Sequence, residues 1–254
     1  MAIGIITGAS SGLGKEFAQE LIDAYDIDEI WVIARNKDRL EDIVSGIKDI
    51  RTEVMPFDLT SREDLDMLVQ EIVQRSPRIR VLVNSAGFGL EGSFSSLSMG
   101  EQIKMIDLNV NALVELTHAC IPYMDREGVI FQVASISGYS PVPGMAIYAA
   151  SKAFVVSFSH TLHKELEPSG IQVICVSPGP VATDFWGRAG HGKGEIPPNA
   201  AQATKVVKKA IRDAKQGKID STYGLMTRIN IFLARHMSTR MLLRLSTYVE
   251  SKPS

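Results

Sequence analysis

Apolar and polar positions along this chain follow two rhythms. Short, nearly continuous apolar runs at 2–7, 29–34, 53–57, 80–84, 129–134 and 171–177 read as strands. Segments at 15–24, 37–49, 61–75, 100–124, 147–166 and 199–216, where apolar residues recur every three or four positions, read as helices. A strand covered by helices on both faces needs no polar side, and Val81-Leu82-Val83 and Val173-Ile174-Cys175-Val176 show none. Regular alternation of the two rhythms predicts an α/β fold, a doubly wound parallel sheet with helices on both faces. A short last strand is expected at 219–223, followed by amphipathic helices at 225–236 and 239–250 that form a C-terminal extension packed on the body. The Gly- and Pro-rich stretch 184–199 reads as a long loop of the kind that covers a ligand. No low-complexity linker interrupts the pattern, so 1–254 is expected to be a single domain.

Composition supports this picture: 254 residues with 45% hydrophobic and 22% charged content suffice for one well-buried core. No apolar run reaches the roughly 18 residues of a membrane span, and no charged leader precedes the first strand. A cytoplasmic protein is expected, as are two buried, reduced thiols at Cys120 and Cys175. The net charge of -2 conceals an asymmetry, with 11 Lys and Arg against 3 Asp and Glu from Lys205 onward, and 16 against 26 before it. A nucleic-acid partner is not expected. The basic tail can serve an acidic ligand, a membrane surface or a subunit contact, or be a plain solvated face.

Thr7-Gly8-Ala9-Ser10-Ser11-Gly12-Leu13-Gly14 lies between the first strand and the first helix. Glycines there let the backbone turn sharply and approach a pyrophosphate, whose charge faces the helix N-terminus. Gly8, Ser10, Ser11, Gly12, Leu13 and Gly14 are therefore candidate dinucleotide contacts. At the end of the second strand an acidic residue would hold the adenosine ribose and select NAD, but this chain has Ala34 followed by Arg35. An arginine can fork onto a 2′-phosphate, so NADP(H) is favoured over NAD(H). Lys37 and Arg39 read as surface charges on the next helix.

With that turn and a Tyr148-x3-Lys152 pair, the chain resembles the short-chain dehydrogenase/reductase family, in the right order over about residues 1–218. The resemblance implies a Rossmann-like sheet and further cofactor contacts. These are Asp58 at the adenine, Asn84, Ala86 and Gly87 in Asn84-Ser85-Ala86-Gly87, and Pro178, Gly179, Val181 and Thr183 in the segment after the sixth strand. Ser85 replaces the family's second asparagine. Val181 backbone groups and the Thr183 hydroxyl are implied to bind the nicotinamide carboxamide.

Tyr148 and Lys152 are one helical turn apart and share a face, and a neighbouring ammonium favours a phenolate. Alone, such a pair is more often a surface feature. The resemblance makes it catalytic, because Ser135 stands 13 residues before Tyr148 and Asn109 lies on the preceding helix. It implies that Ser135 and Tyr148 polarise a carbonyl, that Tyr148 donates its proton, and that Lys152 binds the nicotinamide ribose and lowers the tyrosine pKa. Asn109 is implied to hold a water that leads to the lysine. Tyr148 and Lys152 thus count among both the catalytic and the cofactor-binding residues. Ser137 and Asn111 are the nearest rivals of Ser135 and Asn109.

The expected activity is reduction of a small-molecule carbonyl compound, or oxidation of its alcohol, in a mostly apolar pocket drawing on Val142, Pro143, Met145, Phe185 and Trp186. No Cys or His cluster has metal spacing, and none of the five histidines (118, 160, 163, 191, 236) forms a triad with Ser135. A non-catalytic NADP-binding regulator on the same scaffold is the competing reading, though it has no need of Asn109, Ser135, Tyr148 and Lys152 together. The family commonly forms homodimers or homotetramers through the helices here at 100–124 and 147–166. In the tail, Leu225, Ile229, Phe232 and Leu233 form one apolar stripe and Met241, Leu242, Leu245 and Tyr248 another, with arginines between. That arrangement suits a helix packed on the body, a peripheral membrane contact, a subunit seam or a cover on the cleft.

Overall fold

The computed structural model describes residues 1–48, 50–189 and 196–250, with side chains at 188–189 and 245–250 outside the described residues. Seven parallel strands form one sheet in the order β3-β2-β1-β4-β5-β6-β7. They are β1 (Ala2–Thr7), β2 (Glu29–Ile33), β3 (Arg51–Met55), β4 (Arg78–Asn84), β5 (Met124–Val133), β6 (Gln172–Val176) and β7 (Asp220–Ser221). From β1 the chain winds outward to β3, then returns past β1 and winds the other way through β4 to β7. That reversal opens a crevice at the carboxyl ends of β1 and β4, where such sheets bind ligands.

Period-two alternation of the strands feeds two cores. On one face Ile6, Val81, Phe131 and Ile174 meet Phe17, Ala18 and Leu21 of α1 (Gly12–Ala24) and Val206, Val207, Ala210 and Ile211 of α8 (Ala203–Lys215). On the other face Ile5, Trp31, Leu82 and Ile130 meet Leu65, Leu68 and Ile72 of α3 (Arg62–Arg75), and Leu116 and Cys120 of α5 (Ala112–Cys120). Val206 with Ala210, and Val207 with Ile211, stand four positions apart on one helical stripe, and burying each valine or isoleucine contributes about 1.5–3 kcal/mol. Both cysteines are buried and unbridged.

Several boundaries differ from the pattern reading. Helix α2 (Lys37–Ser45) stops at Gly46, short of the expected 49. The helix expected over 100–124 is α4 (Met99–Ile106), one π turn at Asp107–Asn111, α5 and a 3-10 turn at Ile121–Tyr123. A π turn inserts a residue into the helical ladder, which swings Asn109 inward to 1% exposure while Asn111 stays exposed. Strand β5 begins at Met124 rather than 129, because Asp125, Arg126 and Glu127 extend it with a polar edge. The loop expected over 184–199 contains a short helix α7 (Phe185–Ala189), and residues 190–195, with His191, lie outside the described residues.

Helices α9 (Leu225–His236) and α10 (Thr239–Glu250) complete the chain. The stripe expected to pack α9 on the body faces solvent: Leu225 is 70% and Phe232 60% exposed, and Ile231 is the buried residue of this helix. The helix is held by its other side, where Arg235 pairs with Asp220 at 3.6 Å and stacks over Tyr139. Of the second stripe, Met241 is exposed, Leu242 is half-buried, and the side chains of Leu245 and Tyr248 lie outside the described residues. No helix among the described residues is long and apolar enough to cross a membrane.

Candidate active site

The crevice is a cleft of about 960 Å³, at the upper end of what ligand cavities occupy. Its rim and floor include Gly8, Ser10, Ser11, Gly12, Leu13, Arg35, Asp58, Ala86, Gly87, Ser135, Tyr148, Lys152, Pro178, Gly179, Val181 and Thr183. Segments separated by up to 175 residues thus meet in one place. Gly14, Asn84 and Asn109 stand behind the wall.

The glycine turn shows why its residues are small. Gly8 (φ 68°) and Gly12 (φ 54°) adopt left-handed backbone that side chains resist. A Cβ on Gly8 would meet the Ala86 backbone at 2.8 Å, and one on Gly14 would collide with the Gly8 carbonyl. The first turn of α1 has no acidic residue, and Ser11 makes no side-chain cap, so its N–H groups are free for an anion. A cradle of bare backbone at a helix N-terminus fits the pyrophosphate of a dinucleotide.

At the outer end, beside β2 and β3, the walls are charged and solvated. Arg35 lies 3.9 Å from Asp58, with the two side chains 55% and 36% exposed. Asp58 also accepts from the Thr60 hydroxyl and N–H. Arg39, expected on an outer helix face, instead lines the cleft and pairs with Asp184 at 3.3 Å across its mouth. The Asn36 side chain caps α2 by accepting from the Arg39 N–H, which turns the first helical turn, and Arg39 with it, toward the cleft. Lys37, paired with Glu41, is a surface charge as expected. The Asn36 cap and the Arg39 position were the signals missed in the sequence.

At the inner end, beside β5 and α6 (Ala146–Leu166), the groups are buried. Ser135 stands two residues beyond the end of β5, and its Oγ accepts from the Ser137 N–H at 3.1 Å and lies 3.3 Å from the Ser137 Oγ. Ser137, the rival, therefore steadies Ser135. Burial pushes the Tyr148 phenol up to about 12, with only a hydrogen bond from Ser135 opposing it. Lys152 Nζ lies 5.9 Å from the ring centroid and donates to the Val133 carbonyl at 2.8 Å. Burial also lowers Lys152 itself to about 8, since desolvation disfavours its charge.

Asn109 donates to the Phe88 carbonyl and the Ser151 hydroxyl, each at 3.0 Å, and accepts from the Phe88 N–H at 3.1 Å. These bonds lock the segment after β4 against α6. A Cβ on Gly87 would come within 2.9 Å of Asn109 Oδ1 and 3.4 Å of Lys152 Nζ, so three elements converge there on one glycine. Gly138 was also missed: a Cβ there would meet the Lys152 carbonyl at 2.6 Å, so this glycine allows the turn after Ser135 to press onto α6. Asn84 is buried and donates to Thr117 and Gln132, which ties β4 to its neighbours.

Met145, Phe88, Leu108, Phe185 and Trp186 give this end an apolar lining, whereas Val142 and Pro143 do not reach it. The Phe185 ring sits 5.5 Å from that of Tyr148. The Trp186 indole donates to the Val181 carbonyl at 2.8 Å, so that acceptor is engaged within the chain. Away from the cleft, the fold brings His160, Cys175 and Asp220 together, with ligand atoms within 4.8 Å of one another. His160 already bonds Asp220 at 2.8 Å, and Arg235 holds the same carboxylate, so the group straps α9 to the body.

Residues 2–194 match the family model described as short chain dehydrogenase. An uncharacterised oxidoreductase of Staphylococcus epidermidis is 31% identical over 183 residues, 71% of this chain and 78% of that protein. A short-chain dehydrogenase from Sphingobium yanoikuyae, solved in complex with NADPH, is 30% identical with a TM-score of 0.80, covering 100% of this chain and 96% of that one. The bulky-bulky ketone specific alcohol dehydrogenase of Comamonas testosteroni is 25% identical with a TM-score of 0.76, covering 100% and 95%. The chain belongs to the short-chain dehydrogenase family of oxidoreductases.

Proposed function

From this family membership and the cleft geometry, we propose that the protein is an NADP(H)-dependent reductase of an apolar carbonyl compound. The observation that carries the reading is the joint burial of Ser135, Tyr148 and Lys152 at the inner end of the cleft, with Arg35 and Arg39 at the outer end. The glycine cradle would hold the pyrophosphate, Arg35 with Arg39 the 2′-phosphate, Asp58 the adenine, and Lys152 the nicotinamide ribose. Bound there, the cofactor supplies the hydride.

The chain's own residues manage the oxygen and the proton. Ser135, steadied by Ser137, and the Tyr148 hydroxyl donate to the carbonyl oxygen and stabilise its developing charge. A phenol held near 12 keeps its proton at neutral pH and gives it up only to a stronger base, which a nascent alkoxide is. Lys152 provides positive charge beside it when protonated. Asn109 acts by position, fixing the Phe88 backbone and, through Ser151, the first turns of α6. Met145, Phe185 and Trp186 favour an apolar substituent on the carbonyl. The outer faces of α4 and α6, where Ile103 and Phe154 are exposed, suit the second copy that the family's helices recruit.

The test is a turnover screen with ketones, aldehydes and 3-oxoacyl thioesters, run with NADPH and NADH on the parent and Tyr148→Phe proteins. Loss of the phenol is expected to cost on the order of 10²–10⁴ in kcat, with NADPH affinity kept. Full turnover by Tyr148→Phe would sink the catalytic assignment. Tight NADPH binding by the parent without hydride transfer to any carbonyl would favour the non-catalytic regulator.

A further inference from the structure

We propose that α9 and α10 form a docking surface for an anionic phospholipid bilayer. Leu225, Ile229 and Phe232 follow at i, i+4 and i+7, so they form one line along α9, continued by His236, which stacks on Phe232 at 4.2 Å. That line faces solvent, flanked by Met226 at 70% and Leu233 at 39% exposure. Its orientation is enforced from behind. Thr227 packs at Gly179, Ile231 is buried, and Arg235 is tied to Asp220 and Tyr139, so the apolar side can only point outward.

Charge selects the occupant. From Ser221 to the end of α10 the chain has four arginines against one acidic residue, Glu250, and Arg228 and Arg240 are exposed. The rest of the molecule, through Asp220, is acidic, with 28 Asp and Glu against 22 Lys and Arg. An anionic surface therefore attracts the tail and repels the body, which orients the whole molecule. A second copy seated on the same face would bring the arginines of both copies together with a single carboxylate per copy, Glu250, in the two helices, because a two-fold contact is self-complementary. An apolar stripe bordered by arginines, on helices too short to span, matches a helix lying in the headgroup boundary.

Co-sedimentation of the full chain with vesicles of phosphatidylcholine alone, and of two parts phosphatidylcholine to one part phosphatidylglycerol, tests this. Binding is expected only to the anionic vesicles and should fall with added salt. Replacing both Arg228→Gln and Arg240→Gln is expected to weaken it on the order of twentyfold. Leu225→Asp with Phe232→Asp should abolish it while the far-UV spectrum and melting temperature stay those of the parent, since both side chains are exposed. Equal binding to neutral vesicles, or none to either, overturns the proposal. So does a dimer, seen by sedimentation equilibrium, that Phe232→Asp dissociates.

Discussion

At the outer end of the cleft, Arg35, Arg39, Asp58 and Asp184 sit in or near solvent, and their mutual ion pairs lie between 3.3 and 3.9 Å. At the inner end, Ser135, Tyr148 and Lys152 are each less than a tenth exposed, and two of them have pKa values moved by burial. Exposed charges are screened by water and each contributes at most about 1 kcal/mol, so the proposed choice of NADP(H) at the outer end would rest on small, exchangeable effects. Buried groups feel the low dielectric in full, so the inner end is tuned by packing and tolerates little change.

After loss of the phenol, the largest expected effect separates the two ends directly. Lys152→Met removes the buried ammonium and should lower turnover about 10²–10³-fold, as stopped-flow NADPH oxidation would show, while thermal stability changes far less. A turnover within a few-fold of the parent would mean that the Val133 contact is the lysine's whole purpose.

Next in size is pH. A lysine held near 8 carries its charge below that pH and loses it above, while a tyrosine near 12 stays protonated throughout. In the reductive direction kcat/KM for NADPH, which reports the free protein, should be flat below about 8 and fall up to about tenfold per pH unit above it. A profile flat to pH 10 would contradict a depressed lysine.

The smallest effect is at the outer end. Arg35→Ser should weaken NADPH about fivefold, leave NADH unchanged, and lose its effect at high salt, as fluorescence titration can follow. Arg39→Ser should do the same more weakly, because Asp184 already shares its charge. If either substitution weakens both cofactors alike, the arginines bind something other than the 2′-phosphate.

Much of this was legible before any coordinates. Each expected strand run overlaps a strand of one parallel sheet, because burial on both faces leaves an apolar signature in the sequence itself. The glycine turn was legible for a similar reason: only residues without a Cβ fit where backbone meets backbone, as Gly8 does at Ala86. Arg39 was misplaced because a charge on a helix looks the same whether the neighbouring space is solvent or cleft. The π turn at Asp107–Asn111 was invisible because its cause, the bonds of Asn109 to Phe88, joins segments 21 residues apart.

The amino-acid sequence by itself determined the order of strands and helices and the small residues of the cradle, which depend on local periodicity or on residue type, whereas Ser135, Tyr148 and Lys152 were singled out through the family resemblance. Only the tertiary structure decided that Tyr148 and Lys152 are buried together, that Arg39 reaches the cleft, and that the apolar stripe of α9 faces outward. Those properties depend on what lies opposite a side chain, and the neighbours responsible, such as Gly179 for Thr227 and Tyr139 for Arg235, are distant in sequence.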